Sequence, residues 1–97
     1  MTMHNPPHPG KFIREVYLNE FGISVRKVSE NLGVSPSTFT RLLNGDSNLS
    51  PEMALRLSKA FGRSAESWLS MQDAYNLWKA RKEVDLKGVK KINIEAA

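Results

Sequence analysis

In the stretch SPSTFTRLLNG, residues 35–45, helical spacing collects Phe39, Leu42 and Leu43 into one apolar stripe. It leaves Ser35, Ser37, Thr38, Thr40 and Arg41 facing outward. A surface helix usually carries Lys and Glu there; this one carries hydroxyls. A hydroxyl both donates and accepts hydrogen bonds, and its shortness lets a helix lie close against a polar surface. A threonine methyl packs on a thymine methyl, and an arginine forks onto guanine O6 and N7. The chemistry such a face performs is the reading of base edges in a groove. Plainer roles stand beside it. Ser35 is a helix cap whether or not anything binds, Thr38 and Thr40 can be ordinary solvent-facing residues, and Arg41 can pair with an acidic neighbour.

A second set of residues could hold phosphate. Ser24 stands at the start of an upstream helix, where free backbone N–H groups attract an anion. Arg26, Lys27 and Lys11 are candidate contacts to a nucleic-acid backbone. Of the net charge of +4, residues 24–45 supply +2, the largest share of any segment. A solvated basic face is the alternative reading of the same charges.

The elements that position these groups are punctuated clearly. KFIREVYLNEFG, residues 11–22, places Phe12, Ile13, Val16 and Tyr17 on one helical face, and Gly22 closes the helix. Ser24 caps a second helix whose Val25, Val28 and Leu32 turn inward with the small Ser29, and Gly33 ends it in a left-handed turn. Ser35 and Pro36 cap and open the third helix almost at once, and it ends at Asn44-Gly45. Ser50 and Pro51 repeat the start signal for a fourth, with Ala54, Leu57, Ala60 and Phe61 as its buried stripe. Ser64 caps a fifth, predicted to run to about Lys82, with Glu66 in its positively polarised first turn. Two helices joined by about three residues must cross steeply. The second and third therefore form a helix-turn-helix over residues 25–44, with the third propped outward. Ser29 sits where the two approach most closely.

The fold class expected is all-α: a five-helix bundle over residues 10–82, a mobile arm over 1–9, and a tail over 83–97. In that tail Ile92 and Ile94 alternate with Lys91 and Asn93, which fits either a short strand or a disordered end. Ninety-seven residues are enough for one modest core. The absence of cysteine removes disulfide frameworks and thiolate metal sites. No apolar run spans a bilayer and MTMHNPPHPG has no signal-peptide character, so a cytoplasmic location is expected. His4 and His8 lie among prolines and read as mobile surface residues rather than metal ligands. No Ser-His-Asp set, glycine-rich phosphate loop or paired carboxylates appear, so neither catalysis nor a cofactor or metal is expected.

Trp68, Met71, Tyr75 and Trp78 recur at spacings of three, four and three on the fifth helix. Such a stripe ordinarily packs on its own domain. Leu69, Ala74 and Leu77 add apolar surface elsewhere on the same helix, so part of it is expected to be covered by another chain. Trp68 is assigned to the core, and Tyr75 and Trp78 to a dimer interface. A two-fold dimer would set two copies of the third helix roughly 34 Å apart, one turn of DNA.

SVRKVSENLGVSPSTFTRLLNG resembles the Cro/CI-type (XRE) helix-turn-helix. The flanking HNPPHPGKFIREVYL and LSPEMALRLSKAFGRSAESWLSMQDAYNLW resemble HigA-type antitoxins, so the resemblance covers about residues 4–80. It implies a repressor-like fold that dimerises on a palindromic operator. It also implies neutralisation of a small RelE-like, mRNA-cleaving toxin; with the third helix reserved for DNA, the arm and the tail are the expected places for that contact. By position, the DNA-facing residues of that family fall on Ser35, Thr38, Thr40 and Arg41, with Ser24 near phosphate. Ser29 stands where that motif usually has alanine, and Phe39 where it usually has a smaller aliphatic. A stand-alone repressor without a toxin, and a helical interaction module that binds no DNA, are the alternatives.

Overall fold

The computed structural model describes residues 5–94, which form five helices and, among the described residues, no strand. α1 spans Pro9–Ile13 and runs directly into a π-helical segment, Arg14–Asn19. α2 spans Val25–Leu32, α3 Pro36–Leu43, α4 Pro51–Phe61 and α5 Ala65–Glu83. The four serines read as caps all act as caps. Ser24, Ser35, Ser50 and Ser64 each have extended backbone, and each accepts the N–H three residues on, at 3.1, 3.2, 3.1 and 3.1 Å. α2 and α4 both stop at glycines of positive φ, Gly33 at 74° and Gly62 at 83°.

The core joins Ile13 and Leu18 from the first helical run, Val28 and Leu32 from α2, and Phe39, Leu42 and Leu43 from α3. Leu49, Ala54, Leu57 and Trp68 complete it. Ser29 is buried in the elbow, and its hydroxyl donates to the Val25 carbonyl at 2.7 Å, so the serine replaces alanine without leaving a polar orphan. Phe39 is fully enclosed.

Three details differ from expectation. Val16, placed on the inner face, is 39% exposed, and Leu18 is buried in its stead. The cause is the π-helical turn. Its wider register aligns residues five apart, so Leu18 follows Ile13 on the core side, and the Ile23 N–H bonds back to the Leu18 carbonyl at 3.1 Å. Ala60 is exposed, at the edge of the α4 stripe. His8 is buried at 8% exposure rather than a mobile surface residue. Its Nδ1 accepts the Gly10 N–H at 2.9 Å, making it the cap of α1, and Pro6 and Pro9 are buried beside it. His4 lies outside the described residues.

Beyond α5, residues 84–94 form a non-helical segment with a turn at Lys87-Gly88, and Val84, Leu86, Val89, Ile92 and Ile94 are exposed along it. No helix among the described residues is long and apolar enough to cross a membrane. No group of three His, Cys, Asp or Glu side chains among them is placed to hold a metal.

Candidate nucleic-acid interface

α2 and α3 are joined by Gly33, Val34 and Ser35, and the Gly33 and Val34 N–H groups both return to the Ser29 carbonyl, at 3.0 and 3.1 Å. This closes α2 tightly and sends α3 away at once. Arg56 of α4 braces the corner, donating to the Leu32 carbonyl at 2.8 Å and the Gly33 carbonyl at 3.4 Å. Glu52 balances that guanidinium at 3.4 Å. The elbow is thus fixed by backbone turns and one cation, independently of anything bound to its outer face.

On that face Ser35, Ser37 and Arg41 are exposed, and Thr38 and Thr40 are half-buried. The first three hydroxyls form a local network. Ser35 Oγ accepts the Thr38 N–H, donates to Thr38 Oγ1 at 2.8 Å, and lies 3.2 Å from Ser37 Oγ. With Thr38 Oγ1 accepting from Ser35, its own proton is left free to donate to a further acceptor. The network holds the side chains in place before binding, which reduces the ordering entropy that binding must offset.

Ser24, Arg26, Lys27 and Lys11 are all exposed. The Ser24 cap leaves the first N–H groups of α2 open to solvent. Arg26 leans back to Glu30 at 3.6 Å, an exposed pair that competes weakly with a phosphate. Lys27 and Lys11 form no ion pair with a described residue.

The reading from sequence missed part of this surface. Thr38 and Arg41 line a groove of about 200 Å³ with Ser47, Asn48, Ser50 and Met53, so the loop after α3 and the cap of α4 share a rim with α3. That loop is held from behind by Gln72, buried in α5. Its Oε1 accepts the Leu49 N–H at 2.8 Å, and its Nε2 donates to Asn48 Oδ1 at 3.2 Å and Asn76 Oδ1 at 3.0 Å. A signal was present: Gln72 falls one turn after Trp68, on the side of α5 that must face the core.

On α5, Trp68 is fully buried, with the Arg63 guanidinium 5.6 Å from its ring and 4.9 Å from that of Phe12. Tyr75 and Trp78 lie 6.0 Å apart, both half-buried. Lys82 covers the Trp78 ring at 4.3 Å, and Leu77 is 53% exposed beside them.

A capped, outward-propped helix joined to its predecessor by a three-residue elbow defines a helix-turn-helix protein. Residues 13–68 match the helix-turn-helix family model, and the chain belongs to the Cro/CI-type (XRE) helix-turn-helix family, which includes the HigA and GraA antitoxins. It is 40% identical over 92 residues to the HTH-type transcriptional regulator YddM of Escherichia coli K12, covering 95% of this chain and 97% of that one. It is 32% identical over 80 residues to antitoxin HigA-1 of Vibrio cholerae, covering 82% and 75%. Among solved structures, antitoxin GraA in complex with its operator superposes with a TM-score of 0.85 at 30% identity, covering 98% of this chain and 99% of that one. Antitoxin HigA of Pseudomonas aeruginosa with the higBA promoter gives 0.80 at 29% identity, covering 93% and 100%.

Proposed function

We propose that this protein is an operator-binding repressor that acts as a dimer and serves as the antitoxin of a toxin–antitoxin pair. α3 enters the major groove. Arg41 forks onto a guanine, Thr38, Thr40 and Ser37 contact base edges, and Ser35 seats the helix at the groove wall. Ser24, Lys27, Arg26 and Lys11 bind phosphates on either side. The observation that carries the reading is the exposed hydroxyl and arginine face of α3 on a rigid elbow; the likeness over nearly the whole chain to GraA bound at its operator supports it.

Dimerisation through Tyr75, Trp78 and the exposed Leu77 would cover the second apolar face of α5 and set two reading helices on successive major grooves. The partner neutralised is a small RelE-like toxin, a reading supported by the antitoxin names of the relatives. A stand-alone repressor is the second reading, favoured by the match across nearly all of a relative named only as a transcriptional regulator.

Footprinting on the chain's own upstream DNA, with and without the product of the neighbouring reading frame, tests both readings. A two-fold symmetric footprint is expected. A protected site together with a co-purifying toxin supports the first reading, and a site with no such partner supports the second. No protection on any upstream fragment would overturn both.

A further inference from the structure

His8 has no place in the DNA-reading surface, yet its ring is buried and bonded at the start of α1. Three elements close on its ring. Nδ1 accepts the Gly10 N–H at 2.9 Å at the start of α1. From the loop after α3, Gly45 lies alongside the ring: a Cβ added there would come within ordinary contact, 3.8 Å, of His8 Cγ. From α5, the Tyr75 ring meets it edge-on, with centroids 5.0 Å apart and planes at 83°. Nε2 is buried and makes no hydrogen bond of good geometry, with the Ser47 backbone bearing on the ring.

The loop that His8 supports is bonded to the reading helix itself. The Asp46 N–H bonds to the Arg41 carbonyl at 2.9 Å, and the Gly45 N–H to the Leu42 carbonyl at 3.1 Å. The loop beside the ring is thus tied by its backbone to the C-terminal turn of α3, where Arg41 is mounted.

We propose that His8 is a positioning residue for the reading helix: its neutral ring latches the exit loop of α3 to α1 and α5, and proton uptake releases the latch and weakens operator binding. This rests on the operator-binding reading above. A proton on Nδ1 would face the Gly10 N–H, donor against donor, and the cap would be lost. The new charge would sit at the N-terminus of a helix, where the dipole is already positive. It would also lie buried without a counter-ion. Consistently, burial pushes the ring's pKa below its ordinary value, against a smaller opposing effect of the Ser47 backbone. On the elements that pack against the ring, the neighbouring titratable or charged groups are Lys11 on α1, Arg14 on the π-helical segment after it, Arg41 on α3, Asp46 in the loop, and Asp73 and Tyr75 on α5. All but Tyr75 are exposed, and none bonds to the imidazole.

The sign of the effect is diagnostic. A surface histidine near DNA strengthens binding as pH falls, because it gains charge; the latch weakens it. The test measures operator affinity from pH 8 to 5.5 at constant ionic strength for the parent and His8→Asn, with a random duplex as control. The asparagine amide oxygen keeps the cap but does not titrate. The parent should lose specific affinity by up to about tenfold per pH unit below the folded pKa of the ring. His8→Asn keeps the cap but lacks the ring, so it should bind the operator more weakly than the parent at pH 8 and stay flat as pH falls, the two affinities converging in acid. Equal pH slopes in the two proteins, or tighter parental binding in acid, would overturn the proposal.

NMR titration of the parent supplies a readout that needs neither the variant nor DNA. The His8 ring and the Arg41, Gly45 and Asp46 amides should move with one midpoint; a titrating ring beside unmoved amides would overturn the latch. A folded parent that binds no upstream DNA at pH 8 would overturn the operator reading and, with it, the effect on binding. The NMR midpoints separate that failure from failure of the latch.

Discussion

Gly10 and Leu42 meet backbone to backbone: a Cβ at position 10 would overlap the Leu42 carbonyl oxygen and lie 2.7 Å from Leu43 Cα. α1 thus rests directly on the last turn of the reading helix, and Arg14 adds a bond from its guanidinium to Asn44 Oδ1 at 3.2 Å. The first helix is a splint for α3 as well as part of the core.

Gly10→Ala is therefore expected to destabilise the domain by about 1–3 kcal/mol or more, since the methyl group meets backbone that cannot rotate away. Gly88→Ala is the control, because a Cβ there meets nothing within 4 Å, and its effect should stay within about 0.5 kcal/mol. Urea unfolding followed by tryptophan fluorescence compares the two. Equal midpoints would show that α1 can shift off α3 at little cost.

Leu42→Ala removes a side chain that is 1% exposed at the centre of the elbow. A loss of about 2–5 kcal/mol is expected from lost burial and the cavity left behind. A melting temperature equal to that of the parent would contradict the packing described.

Gln72→Leu keeps most of the volume but orphans the Leu49 N–H and two asparagine side chains. The unmet buried donor is expected to cost about 1–3 kcal/mol. Hydrogen exchange at Leu49 should quicken more than at Leu57 in the middle of α4. Unchanged protection at Leu49 would mean that the loop is held without Gln72.

What was legible in the sequence was whatever local chemistry alone decides. A serine just before a helical run starts a helix, the more sharply where proline follows it as at Ser35 and Ser50, and a glycine of positive φ ends one, regardless of the rest of the chain; hence all four serine caps and the three-residue elbow were readable. What was not legible depended on distant partners. His8 looks idle among prolines until the α3 exit loop and Tyr75 close over it. Val16 fits an α-helical stripe, and only the π turn transfers its place to Leu18. Gln72 is an ordinary polar residue until a loop 23 positions away offers it an unbonded N–H. Ser47 and Asn48 join the rim of the candidate interface for the same reason: Gln72 fixes their loop there, and no motif marks them.

His8 also makes stability depend on pH, apart from any effect on DNA. Its folded pKa lies below the ordinary 6.5, so below that value the unfolded chain takes up a proton that the native chain resists. The contribution is full above pH 6.5 and declines as pH falls through the lower, folded value. Parent and His8→Asn melting temperatures should converge in acid and separate toward pH 8 if the imidazole cap is the better one. A parental advantage that grows in acid would reverse the sign and refute the buried neutral ring.

Arg41 and Lys27 are both exposed cations, but the interface assigns them different chemistry, and their alanine variants should fail differently. Arg41→Ala is expected to cost about 1–3 kcal/mol at the operator and to relax the preference at one base position, with little change in binding to random DNA. Lys27→Ala removes a proposed phosphate contact, so it should weaken operator and random DNA alike and reduce the salt slope by about one. Neither side chain supports the core, so both melting temperatures should stay near that of the parent. Affinities across a salt series on both duplexes distinguish the two. If Arg41→Ala lowers both affinities in parallel with a shallower slope, the arginine is a phosphate clamp. Readout then rests on the Ser35–Ser37–Thr38 hydroxyls, whose network already joins them before DNA arrives.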